Sequence, residues 1–209
     1  MTTLQLTPTR NWITRFAQEV ENQFDTLTDL DRLVGDGDFG INIRSALRDA
    51  LVRLDTTPPR QPGHVFARVS DAFLNTGGTS GPLLGLWFGR IGDIDHDEVT
   101  ASDFATAVST ATQAVQRLGN AQVGHKTMVD AMVPAATALT TAAHATHDIG
   151  AGLDAASAAA GRGAESTRSM VARRGRASYV GDHARGVVDP GAQAIALFFA
   201  AATSEGPSA

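Results

Sequence analysis

The sequence predicts an all-α fold, a single bundle or barrel of about eight helices. Three observations carry that expectation. Apolar residues recur at three- and four-residue spacing through most of the chain. Alanine is abundant, and the β-branched residues do not alternate with polar ones. Glycine and proline clusters cut the chain into helix-length segments with no linker or internal repeat, so residues 1–209 read as one domain.

Each segment has its own signal. Thr7-Pro8 reads as an N-cap and first helical residue, and Trp12, Ile13, Phe16, Val20, Phe24 and Leu27 follow on one face. After an acidic loop, Ile43, Ala46, Leu47, Ala50 and Leu51 repeat the pattern between Ile41 and Leu54. The prolines at 58, 59 and 62 make a loop, and Val65, Phe66, Val69, Phe73 and Leu74 mark a third helix. Pro82 suits the first turn of a fourth, which runs to about Ile91. An acidic connection follows, and Thr100 caps a helix carrying Phe104, Val108, Ala111, Val115 and Leu118. Residues 119–124 break it. Helices are expected from Lys126 to Ala145, with Pro134 as a kink, and from Asp148 to about Val171. Residues 173–186 are basic, glycine-punctuated loop, and Pro190 opens the last helix. No strand is expected.

Composition removes several function classes. The formal net charge is −5 with no basic patch, which argues against nucleic acid. The chain has no cysteine, so disulfides and thiol catalysis are excluded. The longest purely apolar run, Ala194–Ala202, is too short to span a bilayer. With no apolar signal core at the N-terminus, a cytoplasmic protein is the expectation.

The chemistry concentrates in residues 30–42, LDRLVGDGDFGIN. Asp31, Asp36 and Asp38 fall within eight residues, separated by Gly35 and Gly37. Carboxylates this close repel, and glycines cost backbone entropy. A cation is one reason to tolerate both, and hard oxygen ligands without histidine or cysteine favour Mg2+ or Ca2+ over zinc. An acidic turn capping the next helix is the alternative. Gly35-x-Gly37-x-x-Gly40 mimics a dinucleotide fingerprint, but residues 30–34 are no buried strand and the aspartates would repel a metal-free pyrophosphate. An EF-hand starting at Asp36 needs glycine at position 41 and glutamate at 47, where the chain has Ile41 and Leu47.

Residues 77–82, GGTSGP, feed a helix N-terminus where bare amides and the Thr79 and Ser80 hydroxyls can donate to phosphate. The same residues also suit a tight turn between helices. Arg173, Arg174 and Arg176 form a cationic stretch that matches phosphate oxygens or simply faces solvent. Asp189-Pro190-Gly191 reads as a turn. His144 and His147 lack a carboxylate partner on their face, and no Ser-His-Asp arrangement is recognisable.

Taken together and in this order, NWITRF at 11–16, LDRLVGDGDFGIN at 30–42, GGTSGPL at 77–83, GHKTMVD at 124–130, ARRGRASYVG at 172–181 and DPGA at 189–192 resemble the nucleotide-binding L subunit of dihydroxyacetone kinases. The resemblance implies an antiparallel eight-helix barrel holding ADP or ATP and two Mg2+ at one end. It implies Asp31, Asp36 and Asp38 as metal ligands. It implies Phe39, Gly40, Ile41 and Asn42 as a first nucleotide-contacting loop and Thr79 and Ser80 as a second. Gly119 and Met128 would flank the adenine. Arg176 would contact phosphate during transfer, and Asp189, Pro190 and Gly191 would form the closing turn. Many relatives carry histidine where this chain has Phe39, so the contact there is made by backbone or by an apolar side chain.

The resemblance also implies partners. A separate K subunit holds the hydroxyketone covalently, and in one branch a phosphotransferase-system M subunit recharges the bound ADP. A stand-alone L chain favours that arrangement. An ATP-dependent kinase with exchangeable nucleotide and a nucleotide-sensing regulator of a partner protein are the competing expectations. A homodimer is a further candidate assembly.

Overall fold

The computed structural model describes residues 3–203. Among them are nine α-helices: α1 (Leu6–Asn22), α2 (Phe24–Val34), α3 (Phe39–Thr56), α4 (Pro62–Leu74), α5 (Ser80–Gly92), α6 (Ala101–Gly119), α7 (Val129–Thr146), α8 (Ile149–Ser166) and α9 (Pro190–Thr203). The only sheet among the described residues is a two-residue antiparallel pair, β1 (Thr3–Leu4) with β2 (Val99–Thr100). The all-α expectation therefore holds, with one more helix than expected.

The extra helix comes from the first apolar run. It breaks at Gln23, and a second helix carries Leu27 and Thr28 inward and continues to Val34. Asp31 thus sits in the last turns of α2 rather than in a loop. Three other boundaries differ. Helix α1 starts one residue before Thr7, after Gln5, so Thr7 is inside it and caps nothing. Residues 126–128 form turns before α7 because Lys126 is left-handed, φ 60°. Helix α8 stops at Ser166 and tightens into a 3-10 turn over Thr167–Ser169. Two more 3-10 turns, Arg176–Tyr179 and Gly181–Ala184, lie in the basic segment expected to be loop.

Capping fixes several starts. Thr100 Oγ1 accepts the Asp103 amide while the Asp103 carboxylate accepts the Thr100 amide, a reciprocal box at the head of α6. The Asp189 carboxylate accepts the Ala192 amide at 2.7 Å, so Asp189 caps α9 with Pro190 at its first position. Asp148 Oδ1 accepts the Gly150 amide at the head of α8. Helix α7 runs through Pro134.

Helices α2 to α9 alternate in direction, each packed on the next, and α9 closes the ring against α1 and α8. Helix α9 is buried on nearly every side, consistent with its apolar sequence. Its Phe198 meets the Trp12 ring at 4.4 Å, Phe16 at 5.4 Å and Trp87 at 5.2 Å. The buried Trp12 indole N–H donates to the Phe198 carbonyl at 2.6 Å, so the largest core side chain leaves no polar atom unpaired. This alternation brings the breaks at 35–38, 75–79, 120–128 and 167–189 to one end of the bundle.

Candidate nucleotide and metal site

One cavity opens at that end. Its walls include the first residues of four helices: Phe39 of α3, Ser80 of α5, Val129 of α7 and Pro190 of α9. Helix N-termini carry partial positive charge and unpaired amides, so their convergence makes a site for an anion. Beside them stand carboxylates of the opposite preference. Asp31, Asp36 and Asp38 each offer an oxygen, and these oxygens lie within 4.8 Å of one another.

The local chain explains the cluster. Asp31 is 7% exposed, and its Oδ2 accepts the Phe39 amide at 3.1 Å, which anchors the head of α3 to the tail of α2. The turn between them needs Gly37, whose φ of 77° favours glycine over L side chains. Asp36 and Asp38 project from this turn with side chains 47% and 43% exposed. Arg176 reaches across from the basic segment and pairs with Asp36, and its Nη2 lies 3.7 Å from Asp38 Oδ2.

The second glycine turn faces the first. Gly78 has φ 88°, and a side chain there would strike the Asn42 amide nitrogen. That close approach seats Thr79 and Ser80 in the wall across from Asp38 and Asn42. The cavity is also lined by Phe39, Gly119, Met128, Arg176, Asp189, Pro190 and Gly191. Gly40 and Ile41 are not in the wall. Gly40 is pressed against Thr28 of α2, where a Cβ would overlap the threonine hydroxyl, so it serves helix packing. Ile41 is 50% exposed and points outward from α3. Phe39 is 6% exposed, so its ring belongs to the core edge while its amide is held by Asp31.

Two buried charged groups were not singled out from the sequence. Asp130 is 1% exposed, and its carboxylate accepts the Gly124 and Thr127 amides at 2.5 and 2.8 Å, folding the 124–128 turn. Lys126 is 1% exposed and lines the cavity. Its Nζ donates to the carbonyls of Thr167, at 2.6 Å, and of Val187. A usable signal was present: Lys126 is the only lysine among 17 lysines and arginines. Asp189 also faces the cavity from within the protein. Burial, with Asp130 and Asp31 nearby, pushes its carboxyl up to about 7, against the Ala192 amide and Lys126, which pull it down. Burial pulls Lys126 below its ordinary value, and Asp189 and Asp130 oppose that.

The residues present fit a divalent cation. The donors are hard oxygens, they converge, and Asp31 and Asp38 share a cavity wall with helix N-termini. A guanidinium already sits against two of the carboxylates, as expected where like charges need a cation nearby.

The DAK2 domain model matches residues 33–204. The chain belongs to the DAK2 domain family. It is 32% identical over 188 residues to the ADP-binding subunit DhaL of the PEP-dependent dihydroxyacetone kinase of Escherichia coli, covering 88% of this chain and 90% of that one. It is 30% identical over 195 residues to dihydroxyacetone kinase 1 of Saccharomyces cerevisiae, covering 90% of this chain and 32% of that one. The chain thus spans about a third of the length of the longer family members it matches, among them one from Dictyostelium discoideum at 30%. Among solved structures, the dihydroxyacetone kinase from C. freundii in complex with AMP-PNP and Mg2+ superposes with a TM-score of 0.72 at 26% identity, over 96% of this chain and 34% of that one. No helix among the described residues is long and apolar enough to cross a membrane.

Proposed function

We propose that this chain, as one domain over residues 1–209, is the nucleotide-binding subunit of a dihydroxyacetone-type kinase. It presents a phosphoryl group from Mg2+-bound nucleotide to a short-chain hydroxyketone held on a separate K-type subunit. The observation that carries this reading is a cluster of three carboxylates, two of which, Asp31 and Asp38, share one cavity wall with four helix N-termini. Carboxylates alone suit a cation and helix N-termini alone suit an anion, so together they suit a metal–phosphate complex. The name of the Escherichia coli relative, an ADP-binding subunit of like length, supports it.

In this reading Asp31, Asp36 and Asp38 hold two Mg2+. Metal ions held there would supply positive charge to offset that of the phosphate and of the transferring group. The chain's own residues orient the nucleotide. The Thr79 and Ser80 hydroxyls and the α5 N-terminus donate to phosphate, and Gly119 and Met128 border the base. Arg176 leaves its carboxylate partners to clamp the phosphate, and the Asp189–Gly191 turn closes the wall. Phosphoryl transfer depends on positioning and charge more than on a base, so this chain need not supply one.

The name of the Escherichia coli relative, a subunit of a PEP-dependent kinase, favours the separate-subunit arrangement, with ADP retained and recharged by a phosphotransferase-system M subunit in the cytoplasm. Likeness to the longer yeast kinase favours the second reading, free exchange of ATP. The test is a coupled assay with a K-type subunit and dihydroxyacetone. Sugar phosphate is the expected product. Its absence with every donor, while nucleotide still binds, would instead make the chain a nucleotide-sensing regulator.

A further inference from the structure

Lys126 holds a charge that its protein surroundings do not fully use. An ammonium has three hydrogens to donate, and among the described residues its acceptors are two carbonyls, Thr167 O and Val187 O. No described carboxylate pairs with it within 4.0 Å. The residue is 1% exposed, yet it forms part of the cavity wall with Asp31, Asp38 and Asp189. Asp189 and Asp130 act on it only from beyond ion-pair distance, so its buried charge is partly compensated and an arriving anion adds to that compensation.

The position is built. Lys126 has φ 60°, a conformation unfavourable for an L residue, and the turn that imposes it is fixed by the Asp130 carboxylate on the Gly124 and Thr127 amides. The two carbonyls bracket the segment that carries Arg174 and Arg176 into the same wall. The other 16 of its 17 lysines and arginines are arginine. A compact ammonium with donors in three directions suits two carbonyls and a third acceptor, whereas a planar guanidinium does not.

We propose that Lys126 is a phosphate-contacting residue, giving its third ammonium hydrogen to an oxygen of the phosphate chain of a nucleoside diphosphate in the cavity. The proposal rests on the nucleotide reading above. It also adds positive charge to that site. Three carboxylates and a diphosphate bring about six negative charges, and two Mg2+ with Arg176 supply five positive ones. Lys126 supplies a further one, with Asp189 and Asp130 beside it. A neutral base or ribose would gain far less from a full positive charge than phosphate does.

The single lysine makes the test direct. Protein labelled with 15N,13C-lysine and stripped of nucleotide gives one ε-CH2–ammonium signal, read before and after addition of Mg2+ with ADP or with adenosine. The expected result is a shift with ADP and none with adenosine. By calorimetry, Lys126→Met weakens ADP binding about 10–100-fold and leaves adenosine unchanged, and Lys126→Arg restores part of the loss. An unmoved lysine signal in wild-type protein that binds ADP overturns the proposal. So does an equal loss of ADP and adenosine in Lys126→Met, which would make Lys126 a strut between Thr167 and Val187. If Lys126→Met does not fold, the wild-type signal decides alone. Wild-type protein that binds no ADP removes the nucleotide reading itself, a separate failure.

Discussion

Arg176 forms an ion pair with Asp36, and through its second nitrogen lies 3.7 Å from Asp38. The guanidinium therefore occupies the mouth of the carboxylate cluster, where it competes with a metal ion for the same oxygens. Arg176→Gln should bind Mn2+ alone more tightly than wild type, measured by calorimetry without nucleotide. The same change should slow phosphoryl transfer by roughly 10–1,000-fold, the effect of losing one charged clamp. Unchanged Mn2+ affinity would show that the pair does not compete with metal.

The three aspartates should separate by function. The Asp36 and Asp38 carboxylates are half-exposed and, unlike that of Asp31, accept no backbone amide among the described residues. Asp36→Ala and Asp38→Ala should each abolish tight ADP retention while far-UV circular dichroism keeps its helical signal. Asp31 also holds the Phe39 amide. Asp31→Ala and Asp31→Asn both remove the charge, but only the asparagine keeps an acceptor. Asp31→Ala should be less stable than Asp31→Asn by about 1–3 kcal/mol in urea unfolding, the cost of a buried unpaired amide.

Asp189 should make stability fall as pH rises. Its carboxyl is pushed up to about 7 in the folded chain, above the ordinary carboxylate value that holds when the chain is unfolded. Between these values the folded state binds the extra proton. Stability is full below the unfolded value and is lost as pH rises through the folded one. Asp189→Asn keeps an oxygen for the Ala192 amide and removes the titration. From pH 4 to pH 8 the melting temperature of nucleotide-free wild type should drop by several degrees relative to Asp189→Asn. Each pH unit in that window is worth at most about 1.4 kcal/mol, and 1 kcal/mol is about 2–4 °C at this chain length. Parallel curves would place the shifted proton elsewhere.

A carrier recharged in place must hold its nucleotide between turnovers. Protein purified without added nucleotide should carry near-stoichiometric ADP, released on acid denaturation and identified by mass. Radiolabelled ATP should exchange into it slowly compared with transfer to the K-type partner, since tight retention lies mainly in the off-rate. Nucleotide-free protein that turns over with free ATP as sole donor would overturn the carrier arrangement and leave the kinase reading standing.

The helical class was legible because spacing and composition agreed along the whole chain, and the Thr100 cap and the Pro190 start were readable from local chemistry alone. The break at Gln23 was not, because no glycine or proline marks it and the apolar spacing continues through Phe24 and Leu27. Convergence of Asp31, Asp36 and Asp38 could be read from D-x4-D-x-D and its glycines. The outward turn of Ile41 and the packing role of Gly40 could not, since both depend on where α2 crosses α3. Lys126 escaped notice for a related reason. A lone lysine reads as surface, and only the tertiary fold buries it between Thr167 and Val187.

The short β1–β2 pair has a bearing on how this domain can be tethered. It fixes Thr3 beside Thr100, at the head of α6, while the tail of that helix, Gly119, lies in the cavity wall. Helix α6 has 19 residues and so spans about 28 Å. Thr203 ends α9, whose head is also in the wall, so both described ends emerge far from the mouth. Anything joined through either end leaves the mouth unobstructed. A flexible connector running back to the mouth must cover the length of α6 from the first end, about nine extended residues, and that of the 14-residue α9 from the second, about six to seven. Connector length thereby decides whether a segment tethered at either end can return to the mouth.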